Sequence, residues 1–580
     1  LFRELRRDKE SLEDGLATHR LNRLPIGKTK MMHHSKAWAH FARAKRVLFV
    51  GMVFLGMMVS ARAETPKLVV AILVDQLRYD YLERFQDQFT TNGFRMFLDR
   101  GAFMTFARYD YSPTVTGPGH ASFLSGSTPA MHGIIANDWI DKKTRRNVYC
   151  CDDPSVEGVG TTNGNRMSPR NFIGATFADQ LRLHYQSKVV GISMKDRGAI
   201  LPAGKKPTGA FWFETRSGNF VTSSYYTTDL PDWVKTFNGQ RRVAGFADAE
   251  WDRLIDPSRY ERPDDRAGEG RLSGERDQTF PHKVNLSDNG GYDAIMPTPF
   301  GNQLLEEFAE AAIVGERLGQ GSRPDLLCVS FSSVDYAGHK FGPYSQEVQD
   351  IVLRLDRQLG RLFGFLDRTI GLANVAMVLT ADHGVTPTPE FAAQQGLDGG
   401  RLNDSAFLVD LMGQLSARFG AAKYLLSPKL YGWNLYFNHD TLKDKNLSSE
   451  EVGRFVRDWA LSTGKIQACY TREQLLDGLA PGPVGQMVLN GYNAERGGDV
   501  VLIPKPFIIS GSGNSGTTHG SPYTMDSHVP VLFFGRMFRP GRYAADFHIT
   551  DIVPTLCAGL HMDEPPICTG RPFIPVLAAP

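Results

Sequence analysis

The chain has 580 residues, 42% hydrophobic and 22% charged, with a formal net charge of +2. That composition suits a folded protein with a large core and excludes a disordered or fibrous one. No long basic run interrupts residues 64–580, so nothing electrostatic points to nucleic acid or to an anionic membrane surface.

In chain order, Lys45-Arg46, the apolar run Val47 to Val59 and Ser60-Ala61-Arg62-Ala63 form the n-region, h-region and Ala-x-Ala cleavage pattern of a secretory signal. Residues 1–63 are therefore expected to be a cleaved extension and signal peptide, with 64–580 a periplasmic or secreted domain. Met31 or Met32 would make a more ordinary start for such a signal. The apolar run is shorter than the roughly 20 residues a spanning helix needs, and no cysteine follows the cleavage point to carry lipid. Six cysteines permit bridges without making a disulfide framework. Cys557 and Cys568 flank a short Pro-rich loop and could close it, one of Cys150-Cys151 is free to seek a distant partner, and Cys328 reads as a buried thiol.

Lys67 to Val74 is a continuous apolar run with β-branched residues, the pattern of a strand buried on both faces of a parallel sheet. Asp75 follows at its carboxyl end, where ligand-binding groups gather in open α/β sheets. Residues 76–100 read as helical. Ser112 to Phe123 is a turn opening a helix, with Thr116 at its mouth. Gly117 and Gly119 permit close approach, and Pro118 suits a first helical position. Free N–H groups and the helix dipole would favour an anion there. Asn137 sits in a loop-like passage from Ala130 to Trp139.

Val189 to Met194 is the next strand, after which Lys195 and Arg197 would share one face of an extended segment. From about 203 to 297 the rhythm weakens into an insertion, and a core helix opens at Pro299. Asp325 to Phe331 is another buried strand, followed by Asp335 and His339. Ser345 caps a long helix with an apolar stripe from Val348 to Leu366. Asn374 to Thr380 is a strand closed by Asp382-His383. A second insertion is expected at about 390–496, and His519 precedes a last apolar strand, Val529 to Phe534. The fold implied is α/β, a doubly wound and mostly parallel sheet flanked by helices, with inserted cap segments.

Each of these polar residues has a plain structural reading as a cap, a turn residue or a solvated charge. Their recurrence at strand ends argues for a site. Asp75, Asp335, His339, Asp382, His383 and His519 offer oxygen and imidazole donors without thiolate, which suits Zn²⁺ or a similar divalent ion.

In Val74-Asp75-Gln76, Thr116-Gly117-Pro118-Gly119-His120, Asn137-Asp138-Trp139, Lys195-Asp196-Arg197, Asp335-Tyr336-Ala337-Gly338-His339, Ala381-Asp382-His383-Gly384 and His519-Gly520-Ser521-Pro522, the chain resembles the alkaline phosphatase superfamily over about residues 67–575. It is most similar to the bacterial PafA-type alkaline phosphatases, which use a threonine nucleophile. The resemblance implies an exported catalytic domain with two zinc ions, one held by Asp335, His339 and His519, the other by Asp75, Asp382, His383 and the Thr116 oxygen. Thr116 would be the nucleophile, and Asn137, Lys195 and Arg197 would meet the phosphoryl oxygens. The implied reaction is hydrolysis of phosphate monoesters through a phosphothreonine. Two other readings stand beside it: a nucleotide pyrophosphatase or phosphodiesterase of the same superfamily, against which the Lys195/Arg197 pair argues, and a non-catalytic exported metal- or phosphate-binding protein, which would not need Thr116. Nothing in the sequence sets the oligomeric state.

Overall fold

The structure is a computed structural model and describes residues 65–286 and 291–578. The signal pattern at 45–63 lies outside the described residues. Ten strands make the main sheet: β1 (Leu68–Val74), β2 (Ala102–Met104), β3 (Gly158–Val159), β4 (Val189–Ser193), β5 (Gly209–Glu214), β6 (Asn219–Ser223), β7 (Asp325–Phe331), β8 (Val375–Thr380), β9 (Val531–Phe534) and β10 (Gly541–Tyr543). Their spatial order is β10-β2-β9-β8-β1-β7-β4-β5-β6-β3. The five central strands β8-β1-β7-β4-β5 are parallel, and antiparallel β9 and β6 flank them.

The parallel register decides where the polar residues end up. Val74 pairs with Phe331, Leu73 with Thr380, and Ser330 with Ser193, so the carboxyl ends of β1, β7, β8 and β4 are level. β1, β7 and β8 are buried along their whole length, in keeping with their mostly apolar sequences. Whatever follows each strand within a few residues must emerge on one edge of the sheet. Asp75, Lys195, Asp335 and Asp382 all do so.

Helices α1 (Thr116–Ser125), α2 (Asp196–Ala203), α3 (Pro299–Gly315), α4 (Ser333–Phe341) and α5 (Gln346–Thr369) flank this core. Ser345 caps α5 as expected, its hydroxyl accepting the Val348 N–H at 3.2 Å, and the stripe from Val348 to Leu366 is buried. No helix among the described residues is long and apolar enough to cross a membrane.

Several expectations are corrected in detail. Residues 76–100 hold two short helices, Tyr79–Arg84 and Phe94–Arg100, with a 3-10 turn between them. The aromatic stretch expected to begin an insertion at 203 instead contributes β5 and β6 to the main sheet. Phe211, Trp212 and Phe213 are buried there between neighbouring strands; in composition such an aromatic strand and a rim segment look alike. Where the later insertion is expected, residues from Leu402 to Leu502 form a core separate from that of the main sheet. An antiparallel sheet there joins Asn434–Leu435, Ile466–Thr471 and Val500–Pro504, the last beyond the expected bound of 496. All six cysteines are free thiols, including Cys557 and Cys568.

Candidate active site

Thr116 is the first residue of α1, a helix buried over its whole length. Pro118 is the third helical residue, not the first. The start of the helix is also less open to an anion than its sequence suggests. Pro118 has no N–H, the Gly119 N–H donates to the Val115 carbonyl at 3.0 Å, and the Gly117 N–H donates to Asn137 Oδ1 at 2.7 Å. That last bond fixes Asn137: with its oxygen turned to Gly117, the amide N–H groups must point the other way.

Asn137 leads into a hairpin, Asp138–Ile140 with Asn147–Tyr149, in which Asp138 pairs with Tyr149. The Tyr149 hydroxyl accepts from Arg197 Nη1 at 3.1 Å and donates to Asp196. One hairpin therefore holds Asn137 by its base and Arg197 by its second strand. Lys195 and Arg197 do not share an extended face. Lys195 sits just before α2, without capping it through its side chain, while Arg197 lies in the first turn, and the two side chains go to different partners.

Lys195 Nζ lies 2.5 Å from both Asp75 Oδ2 and Asp335 Oδ2, all three groups being buried. Around this ion triplet stand three imidazoles. His383 Nε2 lies 3.6 Å from Asp75 Oδ1, 3.3 Å from Asp382 Oδ2 and 3.3 Å from Thr116 Oγ1. His339 Nε2 is 3.2 Å and His519 Nε2 3.7 Å from Asp335 Oδ1. Every one of them is tethered through Nδ1–H to a backbone carbonyl at 2.9 Å: His383 to Gly384, His339 to Thr517 and His519 to Thr114. The tethers set one tautomer, with the Nε2 lone pair facing the centre, the arrangement a metal-binding imidazole needs.

The electrostatics agree with that arrangement. Burial, then the neighbouring charges of Asp335 and Asp382, push the Asp75 carboxyl well above the usual carboxylate range. Burial acts the same way on Asp335 but is outweighed by Lys195 and His339, which hold it well below that range. Burial is likewise outweighed at Asp382, by His383 and His120. Burial lowers His383, and burial with the nearby His383 and His339 lowers His519, so both imidazoles are neutral near pH 7. At His339 the Asp335 carboxylate overcomes burial and raises it.

Two sets of donor atoms each lie within 4.8 Å of one another: Asp335, His339 and His519, and Asp75, Asp335 and His383. Asp75 Oδ1 and Asp382 Oδ2 are buried with no hydrogen-bond partner, and both face His383. Buried carboxylate oxygens left so are expensive unless a cation meets them. The residues present therefore fit divalent ions. Two further residues take part that their sequence context did not mark. His120, fully buried, donates Nδ1–H to the Thr116 carbonyl at 2.9 Å, lies 3.3 Å from Asp382 Oδ2, and has Nε2 2.7 Å from Ser330 Oγ. Gln76 is the other, and is taken up below.

Comparison with known proteins follows the same lines. A family model described as type I phosphodiesterase / nucleotide pyrophosphatase matches residues 69–522. Alkaline phosphatase PafA of Elizabethkingia meningoseptica is 38% identical over 526 residues, covering 88% of this chain and 94% of that one. The crystal structure of wild-type PafA matches with a TM-score of 0.85 at 37% identity, over 89% of this chain and 99% of that one. The chain belongs to this family, in the PafA-type branch of the alkaline phosphatase superfamily. A Myroides odoratus protein named calcium-transporting ATPase is also 38% identical, over 523 residues, covering 89% of this chain and 95% of that one. Alkaline phosphatase PhoV of Synechococcus elongatus is 36% identical over 516 residues, covering 87% and 92%.

Within this PafA-type fold, Gly119 makes the approach of α1 to Asp382 possible. A Cβ there would lie 2.4 Å from the Asp382 carbonyl oxygen and 2.6 Å from its Cβ. Both are stem atoms that cannot swing aside. Gly119→Ala is expected to destabilise the protein by about 1–3 kcal/mol and to weaken divalent-ion binding by displacing Asp382 from Thr116. Gly117→Ala should be milder, since its new methyl would meet neighbours at 3.1–3.3 Å. Denaturant unfolding and metal titration of the two variants check this. Equal behaviour would contradict it.

Proposed function

We propose that this site hydrolyses phosphate monoesters to an alcohol and inorganic phosphate, through a phosphothreonine formed at Thr116, in a centre with two zinc ions. The observation that carries the reading is the position of the Thr116 hydroxyl. It opens a buried helix and donates to the neutral His383 imidazole, within a cluster of carboxylates and tethered imidazoles. Asp335, His339 and His519 would hold one ion, and Asp75, Asp382, His383 and the Thr116 oxygen the other. Bound there, the ions would favour the alkoxide of Thr116 and offset the charge developing on the phosphoryl and leaving oxygens.

The chain's own residues account for the rest. Thr116 Oγ forms a bond to phosphorus as the bond to the alcohol oxygen breaks, the electron pair leaving with that oxygen, which takes a proton from solvent. Thr116 gives up its hydroxyl proton to solvent in that step. Water then forms a bond to phosphorus from the vacated side as the bond from phosphorus to Thr116 Oγ breaks, the water losing a proton to solvent and the Thr116 oxygen taking one back. Phosphoryl transfer asks mainly for positioning and charge stabilisation. Asn137 offers N–H donors, and Lys195 and Arg197 supply positive charge. Lys195, raised by Asp335 and Asp75 against the effect of burial, stays an ammonium at alkaline pH. Small-molecule monoesters are the proposed substrates, met outside the cytoplasm in keeping with the export pattern at 45–63.

The description of the matching family keeps a phosphodiesterase reading in view. A monoester carries one more anionic oxygen than a diester, and buried cations reward it.

Mass spectrometry of protein quenched in acid during turnover should find phosphate on the peptide containing Thr116. Thr116→Ala should fold and lose about three orders of magnitude or more in kcat/KM, with Thr116→Ser retaining part of the rate. Near-normal turnover by the Ala variant would refute the assignment. Replacing Lys195 and Arg197 together by Ala should cost on the order of several kcal/mol of transition-state stabilisation for an aryl phosphate, judged from about 3 kcal/mol for one comparable oxyanion donor, and far less for its methyl diester. With metal content matched, equal losses on the two substrates would favour the phosphodiesterase reading.

A further inference from the structure

Gln76 follows Asp75 at the end of β1 and is fully buried, with a positive φ of 68°. A non-glycine residue in that region is uncommon, and at a site it points to a constraint imposed by the surroundings. The constraint is visible. The left-handed turn aims the Gln76 backbone N–H at Asp382 Oδ1, 3.0 Å away, and sends its side chain across to Asp335, where Nε2 lies 2.6 Å from Oδ1. One residue thus grips a carboxylate from each side of the centre. The first bond leaves Asp382 Oδ2 facing His383. The second meets the Asp335 oxygen that faces His339 and His519.

The opposite helix is shaped to accept this side chain. A Cβ at Gly338 would lie 1.7 Å from Gln76 Oε1 and 2.9 Å from Gln76 Cδ, and its three nearest atoms would all belong to Gln76. Gly338 sits in α4 between Asp335 and His339, so a methyl there would meet the glutamine amide first. Gln76 Oε1 is itself buried without a partner. The amide is therefore oriented by its donation to Asp335, since the flipped amide would turn an oxygen toward a carboxylate.

We infer that Gln76 is a positioning residue that couples the two halves of the centre, holding Asp382 through its backbone and Asp335 through its amide, in a slot kept open by Gly338. The inference rests on the two-ion reading above. Its side-chain half acts on the Asp335, His339, His519 ion, and its backbone half acts on Asp382. Removing the side chain while keeping the N–H should therefore weaken one ion and spare the other. Hydrogen-bond partners of metal ligands typically change affinity by about 10–100-fold when removed.

The experiment titrates zinc into the chelator-stripped full chain by calorimetry, with bound metal measured at buffered free zinc, so activity is not the readout. Gln76→Gly is the variant of choice because glycine adopts a positive φ without strain and keeps the backbone donor. Two zinc ions are expected in the unsubstituted chain, and in Gln76→Gly one of them should bind about 10–100-fold more weakly while the other stays within about threefold. Gly338→Ala should reproduce the selective loss by expelling the amide, and should add nothing once Gln76 is glycine. Should Gln76→Gly fold poorly, the selective loss in Gly338→Ala carries the test alone. Unchanged affinities in both single variants, or additive losses in the double variant, would overturn the role of Gln76 while leaving the two-ion reading in place. A chain that binds no zinc before any substitution would overturn both.

Discussion

The structure depends on holding three buried carboxylates of one sign in one place. Asp75, Asp335 and Asp382 are 0%, 3% and 0% exposed, and a single ammonium, Lys195, is shared by two of them. Like charges so placed cannot all stay ionised without cations, and the strong upward push on Asp75 expresses that conflict. Most of what surrounds the centre can be understood as its management. Two of the three imidazoles are kept neutral by burial and all three are tethered by backbone carbonyls, the Gln76 N–H orients Asp382 with His120 packed beside it, and Gly119 lets α1 come close enough for Thr116 to join the group. The arrangement costs stability in a bare protein and becomes favourable where divalent cations meet the carboxylates.

The sheet makes this concentration of charge achievable. In-register parallel strands bring four separate segments of the chain to one edge, and their buried bodies anchor residues that would otherwise repel one another. The helix Gly482–Gly491 ties down the stretch just before Thr116. The Ser112 N–H donates to the Met487 carbonyl at 3.0 Å, and Asn490 Nδ2 to the Asp110 carbonyl at 2.8 Å. The loop bearing His519 is laced to the same stretch, since Thr114 Oγ1 donates to the Ser521 carbonyl at 2.7 Å. Thr116 is thus positioned by three parts of the chain distant in sequence, and small disturbances in the cap have a direct path to it.

Much of this was legible beforehand because buried parallel strands leave a plain trace: Leu68–Val74, Asp325–Phe331 and Val375–Thr380 are mostly apolar and buried along their length, and an acid just after such a run is informative. What stayed hidden has physical reasons. β2 and β10 are three residues each, too short for any periodicity. β5 and β6 carry aromatic residues that a pocket rim would also carry. Lys195 and Arg197 were read in an extended frame because the start of α2 has no side-chain cap to mark it. Gln76 could not be recognised, since its role follows from a positive φ and from a glycine 262 positions later. His120 looked like part of a glycine-rich turn, and only the packing of α1 against the sheet shows what it touches.

The most direct measurement is anomalous scattering at the zinc edge from crystals of the protein loaded with zinc. The account predicts two peaks, one among Asp335, His339 and His519 and the other among Asp75, Asp382, His383 and Thr116. A single peak elsewhere, or none at these side chains under zinc-replete conditions, would contradict it.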